Sequence, residues 1–423
     1  MNNSVNTSLS AEIMAPAGNF ESLMAAIQAG ANSVYFGVEK LNMRSRSSHN
    51  FTLHDLEEIR KITRQYEIKA YLTLNIVLYD DEIETMQQVV DAAAKADIDA
   101  IIAADLAVIQ YCYENKVPVH ISTQANITNV ASVAFYARFA DVMVLARELN
   151  LEQVKYIAEQ IVEKQIKGPS GNLVKLEMFI HGALCMAVSG KCYLSLHQQN
   201  ASANRGECLQ ICRRGYTVTE KDSDKILDIE NEYIMSPKDL CTIGFLDKIL
   251  AAGVSVLKIE GRARSPEYVK TVTQAYKKAL QAIEQKNYHH EVISQLENEL
   301  ATVFNRGFWD GYYLGQRLGE WSGKYGNRAT TRKIYLGKGM NYFSKLGVAE
   351  FQLETKELCR GDKILITGPT TGVIETTVPE IRVDLIAVEK AKKGDRISIP
   401  LADKIRRSDK LYKIVAADNV VQQ

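Results

Sequence analysis

The sequence predicts an α/β protein whose main domain is a closed (β/α)8 barrel of the TIM type, followed by a small all-β barrel domain. Short apolar runs alternate with amphipathic helical segments through most of residues 12–286. From about residue 332 the pattern changes to short alternating strands separated by turn residues. We therefore expect a barrel domain at 1–286, a connector at 287–330 and a C-terminal β-barrel domain at 331–423.

Eight apolar runs are each long enough for one strand and apolar on both faces, which is typical of a parallel sheet covered by helices. They lie at residues 12–18, 33–38, 69–76, 100–105, 119–124, 142–148, 176–182 and 256–262. An open doubly wound sheet is the alternative, but such sheets usually have about five or six strands and a G-x-G-x-x-G turn after the first. Residues 15–22 read APAGNFES and lack that turn, so the eight runs favour the barrel.

The regular alternation is interrupted between the seventh and eighth strands, where an insertion at 183–235 carries four of the seven cysteines. The insertion begins where the seventh strand ends, so we expect it on the carboxyl-terminal face of the barrel, where barrel enzymes place their active sites. After the last helix, residues 304–328 are rich in aromatic residues and glycine. Such a segment packs domains together more often than it stacks on nucleic-acid bases.

Composition and charge exclude several classes of protein. Of the 423 residues, 46% are hydrophobic and 24% are charged, which excludes a disordered or fibrous chain. Basic and acidic residues number 51 each, although residues 331–423 contain 17 basic residues against 12 acidic ones, which suits either RNA binding or a solvated charged face. No apolar run is long enough to span a membrane, and the first residues do not resemble a signal peptide. We expect a cytoplasmic protein with no membrane partner.

Four cysteines form a cluster with the spacing Cys185-x6-Cys192-x15-Cys208-x3-Cys212. In a reducing compartment a disulfide framework is not expected, and thiols gathered in one segment indicate a soft metal or an iron–sulfur centre. The spacing lacks the C-x2-C pairs of zinc ribbons and favours a 4Fe-4S cluster, whose iron corners lie further apart than the ligands of one zinc ion. Structural zinc and unrelated free thiols are the alternatives, and Cys241 is a candidate substitute ligand.

Polar residues end many of the predicted strands and should meet at the carboxyl-terminal mouth of the barrel. They are Asn75, Asp105, Gln124, Arg147, Glu148, His181, Glu260 and Arg262. Strand ends are often polar merely because they meet water, yet two arginines among them suit an anionic ligand, because a guanidinium group binds carboxylate or phosphate with two hydrogen bonds. The candidate catalytic residues are Gln124, Arg147, His181, Glu260 and Arg262, and no catalytic dyad can be assigned among them.

Several motifs together carry a resemblance to a known family. The stretch from Glu177 to Ser195, with the pattern E-x-F-I-H-G-A-L-C-x4-G-K-C, looks like the defining motif of peptidase family U32. The resemblance continues through MAPAGNFESLMAAIQAGANSVYFG, NRGECLQICR, SPKDL, LKIEGRARSPEYV and FNRGF. Its length, its N-R-G-x-C-x3-C-R element and its added β-domain make the chain most similar to the branch of the family that hydroxylates tRNA.

That resemblance implies prephenate-dependent conversion of the tRNA wobble uridine to 5-hydroxyuridine by an iron–sulfur protein, with tRNA and prephenate as partners. It implies Cys185, Cys192, Cys208 and Cys212 as the cluster ligands. The family name implies a collagenase-like peptidase as the alternative, and an iron–sulfur subunit of another hydroxylase, of the ribosomal-RNA or ubiquinone-pathway type, is a third. The sequence contains neither H-E-x-x-H nor G-x-S-x-G, so it offers no recognisable protease centre. A protein partner or a homo-oligomer is compatible with each alternative.

Overall fold

A closed barrel forms the larger domain of the computed structural model, which describes residues 11–46, 50–217, 233, 235–316, 319–323 and 326–417. The strands of its sheet are β1 (Glu12–Pro16), β2 (Ser33–Gly37), β3 (Lys69–Leu74), β4 (Ala100–Ala103), β5 (Val119–Ile121), β6 (Val142–Val144), β7 (Lys175–Ala183), β8 (Asp239–Cys241), β9 (Val254–Ile259) and β10 (Phe308–Trp309). Strands β1 to β7 pair in parallel in chain order, and β9 pairs in parallel with both β7 and β1. Eight strands therefore close into a barrel, which confirms the prediction.

Helices follow most of the strands, and most of these helices cover the outside of the barrel. They are α1 (Phe20–Gln28), α2 (Leu56–Gln65), α3 (Ile83–Lys95), α4 (Leu106–Glu114), α5 (Val130–Tyr136), α6 (Leu151–Glu163), α7 (Leu194–Gln199), α8 (Leu246–Ala251), α9 (Pro266–Glu284) and α10 (His290–Ala301). Asparagine caps begin several of them: the Asn19 side chain accepts a hydrogen bond from Ser22 N at 2.8 Å, and Asn150 forms a capping box with Gln153. Among the described helices, none combines the length and the apolar composition that a membrane span requires.

Two short strands extend the barrel sheet beyond the predicted eight. Strand β8 pairs antiparallel with the end of β7, with Cys241 opposite His181, and β10 pairs in parallel with β8. At the end of β7, Gly182 has a φ of +105°, and a β-carbon there would lie 2.5 Å from the carbonyl oxygen of Glu260. Glycine therefore allows β7 to approach the chain that follows β9 and to continue above the barrel.

Residues 184–217, which we call the cysteine-bearing segment, follow β7 and contain little regular structure. They include α7 and two single-turn 3-10 helices at Ala203–Arg205 and Ile211–Arg213. Part of the predicted insertion, at 218–232 and 234, lies outside the described residues. Helix α8 then precedes β9, so the alternation of strands and helices resumes after the segment.

The predicted connector between the domains begins with a helix that the sequence pattern did not indicate. Helix α10 buries Leu296 and Leu300, which lie four residues apart on one face. Beyond the helix, Trp309 and Tyr313 are buried, and the Tyr313 hydroxyl donates a hydrogen bond to Phe179 O at 2.8 Å. These two aromatic side chains pack against the barrel and present no free face for base stacking.

The C-terminal domain is all-β, as predicted. Its strands are β11 (Thr331–Phe343), β12 (Val348–Leu353), β13 (Leu358–Cys359), β14 (Lys363–Gly368), β15 (Gly372–Thr377), β16 (Ile381–Val383), β17 (Ile386–Val388), β18 (Lys390–Ala391), β19 (Arg396–Pro400) and β20 (Lys410–Ala416). Eight of them form one antiparallel sheet in the order β15-β14-β20-β11-β12-β19-β16-β17, and β13 pairs with β18. A hydrophobic core of its own, which includes Leu336, Phe351 and Ile397, fills the domain.

The C-terminal domain packs against helices α1 and α9 of the barrel. The Gln28 side chain donates a hydrogen bond to Thr371 O at 2.8 Å and accepts one from Val373 N at 2.9 Å. Lys333 forms an ion pair with Glu267, in the first turn of α9, at 2.7 Å. Because helices of a parallel barrel begin on the side where the strands end, this ion pair lies towards the carboxyl-terminal mouth.

Candidate functional site

The carboxyl-terminal mouth of the barrel opens into a cavity of about 400 Å³, which we call the mouth cavity. Strands contribute Tyr35 from β2, Phe179 from β7 and Lys258 from β9. The cysteine-bearing segment contributes residues 184–190 and several residues beyond them. In a parallel barrel the carboxyl ends of the strands all lie at this face. Side chains that are distant in the sequence therefore converge here.

All four clustered cysteines line the mouth cavity. Cys185 is exposed, the other three are half-buried, and none of the four is in a disulfide. Burial raises the pKa of the Cys212 thiol to about 11, because a thiolate there would lose hydration. Cys241, the candidate substitute, is buried on β8 and does not line the cavity. The structure thus brings Cys185, Cys192, Cys208 and Cys212 together at one cavity. It does not bring Cys241 there.

These thiols do not form a site for a single metal ion. Among the residues that the structure describes, no group of three or more histidine, cysteine, aspartate or glutamate side chains could hold one ion. A tetrahedral zinc ion binds sulfur at about 2.3 Å and therefore requires its ligands to converge on one point. As the structure places them, the four thiols are therefore not arranged as the tetrahedral ligands of one zinc ion.

The cysteine-bearing segment is fastened to the barrel loops. Arg205 forms a bidentate ion pair with Glu82, with nitrogen–oxygen distances of 2.7 and 2.8 Å, and its guanidinium carbon lies 3.7 Å from the centroid of the Tyr79 ring. The Ser45 hydroxyl donates a hydrogen bond to Gly206 O at 3.1 Å. These contacts reach the loops after β3 and β2, so they hold the cysteines over the mouth of the barrel.

Positive charge dominates the wall of the mouth cavity. The basic side chains that line it are Arg44, Arg147, Arg213, Lys258, Arg262, Arg264 and Arg306. Among the described lining residues the only carboxylate is Glu260, which pairs with Arg44 at 2.7 Å. Burial alone would raise the pKa of Glu260, but Arg44, Arg147 and Arg262 outweigh it and lower the pKa to about 2. Glu260 is therefore ionised at neutral pH.

Arg147 and Arg262, the two arginines predicted at strand ends, have no carboxylate within ion-pair distance among the described residues. Arg147 donates a hydrogen bond to Ala183 O at 3.1 Å, and its buried Nε has no hydrogen-bond partner. Arg262 donates to Asn42 Oδ1 at 3.0 Å and to Thr73 Oγ1 at 2.9 Å, and burial lowers its pKa to about 10. Guanidinium groups placed in this way can bind a carboxylate or a phosphate.

An ion pair inside the barrel lies beneath the mouth cavity. Lys258 Nζ is 2.7 Å from Glu177 Oε1, and the two side chains are only 5% and 0% exposed. The other carboxylate oxygen lies 3.8 Å from Nδ1 of His120, and burial lowers the pKa of His120 to about 3, so that its ring is neutral. The strand-end pattern did not identify Lys258, although a lysine within an apolar strand is a signal of a buried, partnered charge.

Most of the candidate catalytic residues meet in the mouth cavity. Those that line it are Gln124, Arg147, Glu260 and Arg262. His181 does not line it; its Nδ1 is 3.4 Å from the Tyr276 hydroxyl on α9, and burial lowers its pKa to about 3. The pairing of β7 with β9 shifts register between Phe179 and His181, so the two side chains point to opposite faces of the strand.

The other polar strand ends differ in their roles. Asn75 lines the cavity and donates a hydrogen bond to Gln124 Oε1 at 3.2 Å. Asp105 accepts a hydrogen bond from Ala107 N at 2.9 Å and caps α4, outside the cavity. Glu148 is exposed after β6 and does not line the cavity either. A search of strand ends also misses side chains such as Arg44, which reaches the cavity from the loop after β2.

Comparisons with known proteins agree on the family of this chain. The sequence model of peptidase family U32 matches residues 18–323. A protein named Collagenase from Porphyromonas gingivalis is 63% identical over 95% of this chain and 97% of its own length. The tRNA hydroxylation protein P1 of Bacillus subtilis is 32% identical over 86% of each chain, and the 23S rRNA 5-hydroxycytidine C2501 synthase of Escherichia coli is 34% identical over 73% of this chain and 46% of its own. The family match covers the barrel from residue 18 onwards and includes the cysteine motif, and the chain belongs to peptidase family U32.

Proposed function

We propose that this protein hydroxylates the wobble uridine of tRNA to 5-hydroxyuridine, with prephenate as co-substrate, and that Cys185, Cys192, Cys208 and Cys212 bind an iron–sulfur cluster. One observation carries the proposal: four thiols and two arginines without an ion-pair partner among the described residues line a single cavity at the mouth of a barrel. Relatives named for hydroxylation of tRNA and for synthesis of a hydroxylated ribosomal-RNA base support the class of reaction.

The donor set of the four cysteines suits an iron–sulfur cluster. Such a cluster distributes its thiolate ligands over several metal corners, so they need not converge on one point as they do around a single ion. The positive charge of Arg213 counteracts the effect of burial on the pKa of the Cys212 thiol and so favours the thiolate that metal binding requires. When bound, the cluster would supply redox chemistry at the wall of the mouth cavity.

The arginines of the cavity suit the two carboxylates of prephenate. Arg147 and Arg262 can each bind one carboxylate with charge-assisted hydrogen bonds. Glu260 is balanced by its ion pair with Arg44, so it leaves the charges of the other two arginines available. The cavity of about 400 Å³ lies within the range of small-molecule sites, which is about 300 to 1,000 Å³.

Exposed tyrosines in the loop after β3 and in the cysteine-bearing segment suit an unpaired nucleotide. Tyr193 is 70% exposed and lies between Cys192 and Leu194, which both line the cavity. Tyr79, which Arg205 covers on one face, is 57% exposed. Proteins recognise unpaired RNA bases by stacking them on such rings and bind the phosphates with basic side chains. The wobble base lies unpaired in the anticodon loop, so it is accessible to a site of this kind.

Mass spectrometry of tRNA nucleosides tests the proposal in the native organism. Deletion of the gene should remove 5-hydroxyuridine, which the wild-type gene and Cys359→Ser should restore and Cys212→Ser should not. Cys359 is a half-buried cysteine on β13 of the C-terminal domain, so its substitution is a matched control. Unchanged 5-hydroxyuridine in a deletion strain without a redundant pathway would contradict the proposal. Loss of a hydroxylated cytidine from ribosomal RNA instead would assign a different substrate.

Chemical analysis of the purified protein tests the cluster separately. Protein purified without oxygen should be brown and contain iron and acid-labile sulfide, and exposure to air should bleach it. Cys212→Ser should strongly reduce the iron content, whereas Cys359→Ser should not change it. A protein that binds neither iron nor sulfide after anaerobic reconstitution would exclude the cluster.

A peptidase is the second candidate, favoured by the 63% identical relative named Collagenase. The mouth cavity offers little for that chemistry, because no histidine is among the described residues that line it and its carboxylate, Glu260, is paired with Arg44. A nucleophile in the cavity would therefore lack an adjacent general base. Cleavage of gelatin by the pure protein, abolished by Glu260→Gln, would favour the peptidase.

A further inference from the structure

Lys258 is a buried amine that faces the mouth cavity and has no part in the function proposed above. It lies on β9, and its side chain is 5% exposed. An ammonium group in the interior of a barrel loses most of its hydration, so it persists there only with a charged partner. That partner is Glu177, 2.7 Å away. The amine of a lysine is also a nucleophile that forms imines with carbonyl compounds.

Two aromatic rings lie near both Lys258 and the arginines that lack a carboxylate partner among the described residues. The centroid of the Tyr35 ring lies 4.6 Å from Lys258 Nζ and 5.9 Å from the guanidinium carbon of Arg262. The centroid of the Phe179 ring lies 5.5 Å from Lys258 Nζ and 4.0 Å from the guanidinium carbon of Arg147. All three basic side chains line the mouth cavity, so a ligand that binds the arginines lies in the same cavity as the Lys258 amine.

Glu177 is placed to accept the proton that Lys258 loses. It is fully buried, and burial raises its pKa, an effect that Lys258 opposes. Its Oε2 has no hydrogen-bond partner, and the group that faces this oxygen is the neutral ring of His120. Lys258 Nζ already donates a hydrogen bond of 2.7 Å to Glu177 Oε1, so a proton can pass between the two groups directly.

We propose that Lys258 is a nucleophile that forms an imine with a 2-oxo acid, whose carboxylate binds to an arginine of the mouth cavity, Arg147 or Arg262. Glu177 takes one proton from the ammonium group. The neutral Nζ then attacks the carbonyl carbon, a C=N bond replaces the C=O bond, and the oxygen leaves as water with the two remaining protons of the nitrogen. No electrons are transferred. The inference goes beyond RNA hydroxylation and needs no metal, although prephenate is itself a 2-oxo acid and would be one such ligand.

Reductive trapping tests this reaction in the wild-type protein. Purified protein is incubated with pyruvate and sodium cyanoborohydride, digested, and mapped by mass spectrometry. We expect one reduced pyruvyl group on Lys258, formed before any adduct on Lys61, which is 74% exposed. Lactate, which lacks the carbonyl group, should give no adduct. Absence of an adduct, or adducts on exposed lysines alone, would overturn the proposal.

Variants separate the chemistry from effects on folding. Lys258→Arg keeps the positive charge beside Glu177 but cannot form an imine, so it should give no adduct, whereas Lys61→Arg should react like the wild type. Glu177→Gln should slow the trapping. The wild-type peptide map identifies the modified residue directly, so the test survives even if Lys258→Arg does not fold. An equal yield of adduct in folded Lys258→Arg would overturn the proposal. The content of 5-hydroxyuridine in tRNA is measured separately from the adduct on Lys258. Failure of the hydroxylase proposal can therefore be distinguished from failure of the imine proposal.

Discussion

Glu260 stands among arginines at the wall of the mouth cavity, and these neighbours determine its charge. Its contact with Arg44 is 2.7 Å, and the two side chains are 14% and 24% exposed, so water screens the pair only partly. The positive charges of Arg147 and Arg262 also lower the pKa of Glu260, from further away. Together they lower the pKa of Glu260 to about 2, from an ordinary value of 4.5, although burial acts in the opposite direction.

Replacement of Glu260 by glutamine should make the stability of the protein less sensitive to acid. A carboxylate whose pKa is lower in the folded protein adds stability above its unfolded pKa and loses that contribution as the pH falls through the folded pKa. The shift corresponds to about 3 kcal/mol. We expect the free energy of unfolding of the wild type to exceed that of Glu260→Gln near neutral pH. The difference should shrink between pH 4.5 and about pH 2. Urea denaturation at several pH values measures it, and a difference that does not change with pH would contradict the ion pair.

The residues of the mouth cavity could be predicted from the sequence where the side chains of a strand point alternately to its two faces. Arg147 and Arg262 follow β6 and β9 and reach the cavity, because the carboxyl ends of parallel strands converge. His181 is placed differently, because β7 gains one residue relative to β9 after Phe179. A shift of one residue moves a side chain to the other face of the sheet. Such a bulge depends on the fit between two strands, which the pattern of one strand does not contain.

The cysteine-bearing segment depends on one close approach to the barrel. Gly206 has a φ of +84°, and a β-carbon there would lie 2.3 Å from Asn42 O and 2.4 Å from Ser45 Oγ. Both atoms belong to the loop after β2. Only glycine satisfies the backbone conformation and the available space together. The approach of these two loops therefore sets the height of the cysteines above the barrel mouth.

Gly206→Ala should loosen the cysteine-bearing segment. The left-handed conformation costs an alanine about 1 kcal/mol, and the overlap with Asn42 O forces the segment to move, which should bring the total loss of stability to about 2–4 kcal/mol. Gly171→Ala is the matched control, because Gly171 has a φ of +78° with nothing within 4 Å of a β-carbon, so it carries the conformational cost alone. Urea denaturation and iron content measure both variants. Equal losses in the two would show that the contact with Asn42 contributes nothing.

Long elements could be predicted from the sequence, and short ones could not. The barrel strands and their helices repeat one pattern many times, so an error in one element leaves the eightfold count intact. Strands β8 and β10 have three and two residues, and they form only because the chain returns beside the end of β7. Helix α10 repeats Val292, Leu296 and Leu300 at four-residue spacing, but the aromatic stretch after it pointed to an irregular connector.

The neutral net charge of the whole chain conceals an uneven distribution. Basic and acidic residues are equal in number in the whole chain. Residues 331–423, however, contain 17 basic residues against 12 acidic ones. Lys404, Arg406 and Arg407 are exposed in the loop between β19 and β20, without an ion pair to any described carboxylate. The ion pair of Lys333 with Glu267 fastens their domain near the start of α9, on the mouth side of the barrel. We expect an RNA molecule bound at the mouth cavity to contact this loop as well.

Charge reversal in the loop between β19 and β20 tests whether the C-terminal domain binds RNA. The combined variant Lys404→Glu, Arg406→Glu and Arg407→Glu should weaken tRNA binding and lower the slope of log affinity against log salt concentration by about 3, because each lost phosphate contact removes about 0.9. Fluorescence titration at several salt concentrations measures both. The control reverses exposed lysines at the carboxyl ends of barrel helices, on the opposite side from the mouth: Lys116, Lys164 and Lys286. It changes the net charge equally and should bind like the wild type. An equal loss of tRNA affinity in both variants would show that binding depends on net charge alone. Unchanged affinity in both variants would show that the RNA contacts only the barrel.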